Sequence, residues 1–259
     1  MALPLQSIDL IAPGFKGLNT EDSPLAQDPA FAEVADNAVI DKRGRIASRK
    51  GINVLTTNKT VLGTDYLHKV HQFYDDSGND VIFSTGNNKI MTGTTTLVDV
   101  TPGSYTINAN NWKIVNFNNK AYFFQRGLDP LVYDNATGLR TFGTVNGTTT
   151  AATIKCNEAI ASFGRLWIAD NASEAQTVYW SDLLDGVDFT GGTSGSINVS
   201  KAWPDGHDVI VGLVAHNNLL VIFGEHSLLV YQNADTPAVM SLADTVSGIG
   251  GIDRGSIQS

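Results

Sequence analysis

The most regular hydrophobic pattern in the chain lies over 211–232, VGLVAHNNLLVIFGEHSLLVYQ. An apolar run is followed by an Asn-Asn pair, a second apolar run, a polar break at 224–227 and a third run ending at Tyr231. The pattern predicts a β-meander, because Asn217 and Asn218 tolerate the positive φ of a two-residue hairpin. Near-continuous runs such as LLVIF, in place of strict alternation, predict strands covered on both faces.

Fainter copies of this pattern recur upstream. The second-strand position falls at Phe83, Phe124, Ile168 and Phe223, with spacings of 41, 44 and 55 residues. The third-strand position falls at Met91, Tyr133, Tyr179 and Tyr231, with spacings of 42, 46 and 52. Hairpin chemistry separates strands one and two in each copy, at 76–79, Asn118-Asn119, Gly164-Arg165 and Asn217-Asn218. A weaker outer strand is expected near 97–100, 140–142, 187–189 and 239–241. Four-stranded units repeating every 40–50 residues predict an all-β fold, a β-propeller with about four antiparallel blades visible over 66–259. A β-sandwich needs no such period. The long last spacing is assigned to an inserted Gly-rich loop over 191–208. The closing GIGGIDRGSIQS reads as the entry to a further blade, so the propeller is expected to be incomplete within these residues.

Residues 1–65 have a different texture and are read as an N-terminal docking arm. Asp28-Pro29 predicts a short helix, with Asp28 as N-cap, Pro29 in the first turn, and Phe31, Val34 and Ala35 on one face. A hairpin follows, turning at 42–44. It carries Lys42, Arg43, Arg45, Arg49 and Lys50, which is 5 of the 17 basic residues within nine positions. In a chain of net charge −9 that clustering marks a candidate docking surface; a merely solvated hairpin is the alternative.

The overall acidic balance argues against non-specific binding of nucleic acid. No apolar run reaches the roughly 18 residues of a membrane span. The N-terminus lacks the basic segment of a secretory signal. A single cysteine, Cys156, excludes an internal disulfide, and no cysteine or histidine spacing predicts a metal site or a cofactor. His68 and His71, three apart in a strand, are expected on opposite faces. The loop 205–208 with Ser181-Asp182 offers the residue types of a hydrolytic triad, without a nucleophile elbow. The run 75–80 lacks the terminal glutamate of a calcium loop and reads as a hairpin turn. The segment 181–186 reads as an outer turn of Asp-box type. Trp112, Trp167 and Trp180 are assigned to packing. Trp203, with Asp205 and His207, forms a candidate contact loop.

Three segments resemble one family. GLNTEDSPLAQDPAFAEVADNAVIDKRGRIASRKG is similar to the opening of the tail tubular, or nozzle, proteins of short-tailed bacteriophages. VYWSDLLDGVDFT resembles a turn of their propeller. LVAHNNLLVIFGEHSLLVYQNADTPAVM with GIGGIDRGSI resembles a later blade and its crossover. The resemblance implies a non-enzymatic virion protein that assembles as a homo-oligomeric ring, usually of six copies. It implies docking to the adaptor or head–tail connector, contact with tail fibre proteins, and passage of DNA through the ring without sequence-specific binding. Assembly would take place in the host cytoplasm. Family members are usually longer, with platform and tip domains that these residues do not supply. The alternatives are a propeller that binds a glycan or protein partner through the 191–208 loop, and a sialidase-like or glycosidase-like enzyme, which needs converging carboxylates.

Overall fold

The computed structural model describes residues 16–23, 25–28, 30–40, 45–51, 53–142, 154–251, 253, 255 and 257. The chain forms two compact units, Met1–Val54 and Leu55–Ser259.

In the first unit, β1 (Gly17–Leu18) pairs in parallel with β2 (Phe31–Ala32), and β3 (Ala38–Ile40) pairs antiparallel with β4 (Ile46–Ser48). The expected hairpin is present, its turn at 42–44 lying outside the described residues. The expected helix after Asp28 is not: Phe31 and Ala32 are strand. Asp28 does cap the chain, accepting the Ala30 N–H at 2.9 Å on its side chain and the Phe31 N–H at 2.9 Å on its carbonyl. That turn is not propagated, because a helix of two turns is marginal by itself in water. The backbone groups of this segment bond to β1 instead, with the Asn19 N–H donating to Ala32 at 3.0 Å.

The second unit holds four four-stranded antiparallel sheets, each a meander in chain order. The first contains β5 (Lys69–Tyr74), β6 (Asp80–Gly86), β7 (Lys89–Thr92) and β8 (Val98–Asp99). The second contains β9 (Lys113–Phe117), β10 (Lys120–Phe124), β11 (Leu131–Asp134) and β12 (Gly138–Thr141). The third contains β13 (Cys156–Ser162), β14 (Arg165–Asn171), β15 (Thr177–Trp180) and β16 (Gly195–Asn198). The fourth contains β17 (Ile210–His216), β18 (Leu219–Gly224), β19 (Ser227–Gln232) and β20 (Ser241–Ser247). All eight marker positions of the sequence pattern fall on second and third strands as expected.

Two outer strands differ from expectation. In the third sheet the outer strand is β16, inside the supposed insertion, while Val187 and Phe189 are buried in a loop. In the fourth, 237–239 is a 3₁₀ turn and the strand begins at Ser241. The GSIN of β16 has one apolar side chain because an outer strand covers only one face, where Ile197 packs on the core and Gly195 lies against the Trp180 ring. Val187 and Phe189 are apolar because they fill the core between the second and third sheets.

The sheets stack face to face through three cores. Phe73, Phe83 and Ile90 of the first sheet meet Trp112, Ile114, Ala121, Phe123 and Leu131 of the second sheet and its entry. Tyr122, Phe124 and Val132 meet Ala159, Leu166 and Ile168. Trp167, Ala169, Val178 and Trp180 meet Leu213, Leu220, Ile222, Leu229 and Tyr231. First strands are neighbours throughout, β5 beside β9, β9 beside β13 and β13 beside β17. Opposite faces of the second sheet, and of the third, thus enter different cores, which accounts for the near-continuous apolar runs in those two sheets.

Candidate functional site

The basic hairpin is built on three strand pairs, Ala38 with Ser48, Val39 with Ala47 and Ile40 with Ile46, and the Arg49 N–H closes it on the Asn37 carbonyl at 2.6 Å. Asn37 has φ 55°, a conformation that asparagine adopts more readily than most residues. Arg45, Arg49 and Lys50 are exposed. Lys42 and Arg43 lie outside the described residues. Val39 and Ile46 are 48% and 57% exposed and, by the register, lie on opposite faces of the hairpin, so each face carries one uncovered aliphatic side chain. Cationic and apolar groups side by side suit an acidic protein surface with an apolar centre.

The second candidate, Trp203 with Asp205 and His207, does not form one surface. Trp203 is 4% exposed, packs in the core between the third and fourth sheets, and donates its indole N–H to Gln176 Oε1 at 2.6 Å. It is therefore a packing residue, against the expectation of a contact residue. A Gly-rich, polar stretch conceals this because the loop folds inward at one large side chain. Asp205 and His207 are exposed on the turn that follows, where Gly206 has φ 87°.

The adjacent Asp208 is a residue that the sequence did not mark as structural. Its buried carboxylate accepts the N–H groups of Val209, Glu225 and His226 at 2.8, 2.9 and 3.0 Å, and the Ser227 hydroxyl at 2.6 Å. Burial raises its pKa, but the Ser227 hydroxyl and the three backbone donors outweigh burial and hold it below the usual carboxylate value. Asp208 thus ties the entry of β17 to the β18–β19 turn. Ser181, the hydroxyl that might have joined it, accepts the Leu166 N–H and donates to the Asp182 carbonyl, both at 3.0 Å. Ser181, Asp182 and Asp208 are bound into turns, and His207 is exposed.

At the opposite end of the sheets the hairpin turns are linked across sheet boundaries. The Asp76 N–H donates to Asn119 Oδ1 at 2.7 Å, joining the first sheet to the second. Asn118 Nδ2 donates to the Leu184 carbonyl at 2.6 Å, joining the second to the third. The Asp75 carboxylate serves the 75–79 turn, accepting Asn79 Nδ2 and the N–H groups of Asn79 and Ser77, so these aspartates are turn residues as expected. The 181–186 segment is an outer turn: Asp182 Oδ1 accepts both the N–H and the hydroxyl of Thr193 at 2.8 Å. Beside it, a groove of about 410 Å³ is lined by Arg165, Trp180, Thr193, Asp235 and Pro237, among others. Arg165 is 5% exposed, and its guanidinium is spent on the Ser181 carbonyl and Thr193.

His68 and His71 bind different partners, Asp65 and Asn116. The Lys113 ammonium of β9 lies 2.6 Å from Glu158 of β13, a residue only 1% exposed; this ion pair between sheets has no signature in a sequence. Among the described residues no cluster of three metal-ligating side chains occurs and no helix is long and apolar enough to cross a membrane. No protein-family model matches the chain, and no curated protein matches it.

Proposed function

We propose that the chain is a structural subunit of a short-tailed phage nozzle, with its four sheets as propeller blades and its first unit as the docking arm. The observation that carries this reading is the stacking of four four-stranded meanders, first strand beside first strand, in a chain whose first unit presents Arg45, Arg49 and Lys50 on an exposed hairpin. Blades arranged about an axis require that adjacency, and a β-sandwich, which packs two sheets on each other, does not. The arm, blade and crossover segments that resemble nozzle proteins lie in the first unit, the third and fourth sheets, and the segment after β20. The role is non-catalytic: a ring of copies, six by the resemblance, docks to the adaptor above it and lets DNA through. A net charge of −9 suits such a conduit, because retention of phosphate requires neutralising lysines and arginines.

The competing reading, a propeller that binds a glycan or protein partner through the 191–208 loop, drew on Trp203 as a contact residue of that loop. Burial of that indole withdraws the support.

Negative-stain microscopy of the purified protein, alone and mixed with an adaptor ring, tests the proposal. Closed rings of defined copy number are expected. Monomers under every condition, with no binding to the adaptor, would sink it.

A further inference from the structure

A cleft of about 670 Å³ opens beside the third sheet, lined by Lys155, Asn171, Ser173, Glu174, Tyr179 and Ser196, with Ala172. It is separate from the basic hairpin, the 205–207 turn and the groove at Arg165.

Local structure sets the wall. Tyr179 and Ser196 are register partners across β15 and β16, so both stand on one face of the sheet. Asn171, only 2% exposed, accepts the Ser173 N–H at 2.9 Å on Oδ1 and so shapes the turn that carries Ser173 and Glu174. The Tyr179 hydroxyl donates to Glu174 Oε2 at 2.5 Å. Burial, and then the bond to this carboxylate, raise the Tyr179 pKa, so the phenol stays protonated and remains the donor. That bond fixes the carboxylate and leaves Oε1 for another donor. Among the described residues no hydrogen bond within the chain uses Glu174 Oε1, Ser173 Oγ or Ser196 Oγ.

The chemistry of the wall selects what it can hold. Among its described residues Lys155 is the one cation, and its ammonium is paired with Asp129 at 3.1 Å. With Glu174 ionised there is no surplus positive charge, so a phosphate or carboxylate ligand would find no counter-charge. Apart from Ala172 and the Tyr179 ring the lining is polar, and an apolar ligand would cover these groups without pairing them. A molecule dense in hydroxyls meets both conditions. Each hydroxyl donates and accepts, which matches a carboxylate oxygen, two serine hydroxyls and an ammonium. The tyrosine ring supplies an apolar body on which the C–H face of a sugar ring can pack.

We infer that this cleft binds a neutral saccharide. Its volume is that of a small-molecule site, and the inference depends neither on Trp203 nor on a place in a virion.

The test is isothermal titration of the full chain with the methyl glycosides of glucose, galactose, mannose and N-acetylglucosamine, and with glucuronic acid and inorganic phosphate as anionic probes. At least one neutral glycoside is expected to bind more tightly than either anion. Glu174→Gln should weaken that binding about tenfold, the loss of a hydrogen bond to a charged group. Ser196→Trp should fill the cleft and abolish binding; Ser196 is exposed on an outer strand, and near-UV circular dichroism selects folded variants. Ser173→Trp, on the exposed turn, replaces it should it not fold. Binding should survive Asp205→Ala with His207→Ala. Loss of binding in that double variant, with the cleft variants unaffected, would overturn the inference in favour of the 205–207 turn. Tighter binding of an anion, or no binding of any neutral glycoside by folded wild-type protein, would also overturn it. Rings seen by microscopy alongside such a result would leave the nozzle reading standing.

Discussion

Asp134, at the end of β11, shows how single side chains hold the turns. Its carboxylate accepts the N–H groups of Ala136 and Thr137 at 3.1 and 2.8 Å, the Thr137 hydroxyl at 2.6 Å and Arg140 Nη2 at 2.6 Å. Burial acts to raise its pKa, but the bonds from Thr137 and Arg140 win and bring it down to about 2. A carboxyl in the unfolded chain titrates near 3.9. The folded state therefore binds fewer protons between those values, and the stabilisation is full above about pH 4 and is lost as pH falls toward 2. With the side chain 18% exposed, about 1–2 kcal/mol is at stake. Asp134→Asn should lower stability at pH 6 by that amount and flatten the decline between pH 4 and 2. Urea denaturation across that range measures both effects. Such roles were not legible in the sequence, because Asp134 and Asp208 differ from any loop aspartate only in the donors that folding brings to them. Trp203 was misread for the opposite reason: its neighbours are polar, and its partners, Gln176 and the core, are remote in the chain.

At the scale of elements, the legible features were those written as local pattern. In the second and third sheets the second and third strands carry apolar runs because both of their faces are covered. The hairpins between first and second strands carry asparagine because they need positive φ. Asn118 and Asn119 have φ 43° and 63°, and Asn217 and Asn218 have 45° and 64°. In the third sheet the turn is one residue earlier than expected, at Phe163 and Gly164, with φ 53° and 68°. What was not legible is that Asn119 also joins two sheets, through its bond from the Asp76 N–H. The two roles separate by substitution. Asn119→Gly keeps the turn conformation and loses the link, at a cost of about 0.5–1 kcal/mol for an exposed hydrogen bond. Asn119→Ala loses the link and places a less tolerant residue at positive φ, adding about 1 kcal/mol. The order wild type, Gly, Ala in urea midpoints is the expected result; equal midpoints for Gly and Ala would mean that conformation contributes nothing. Outer strands were legible only in part, since β16 is polar and the apolar Val187 and Phe189 beside it belong to a loop that packs inward. The helix expected after Asp28 failed because a correct cap does not supply the length that a helix needs.

At the scale of the molecule, the repeat matched the number and order of the four-stranded sheets, whereas how the series of sheets is completed lies in side-chain faces and partners that a periodicity does not encode. The same distinction governs the basic hairpin. Clustering of Lys42, Arg43, Arg45, Arg49 and Lys50 was visible as composition, and the structure adds that Arg45, Arg49 and Lys50 are exposed on a hairpin that also exposes Val39 on one face and Ile46 on the other. If this hairpin is the surface that meets the adaptor, two contributions should separate. Charges steer the encounter, and their influence falls as salt rises. Aliphatic surface holds the formed complex. Reversal of all five cations to glutamate should therefore slow association with the adaptor ring by tenfold or more at low ionic strength, with a smaller difference at about 0.5 M salt. Val39→Ser with Ile46→Ser should leave association nearly unchanged and speed dissociation. Surface plasmon resonance on immobilised adaptor reads both rates. Unchanged association after the five reversals would remove the hairpin from the docking surface and leave its charges as a solvated edge.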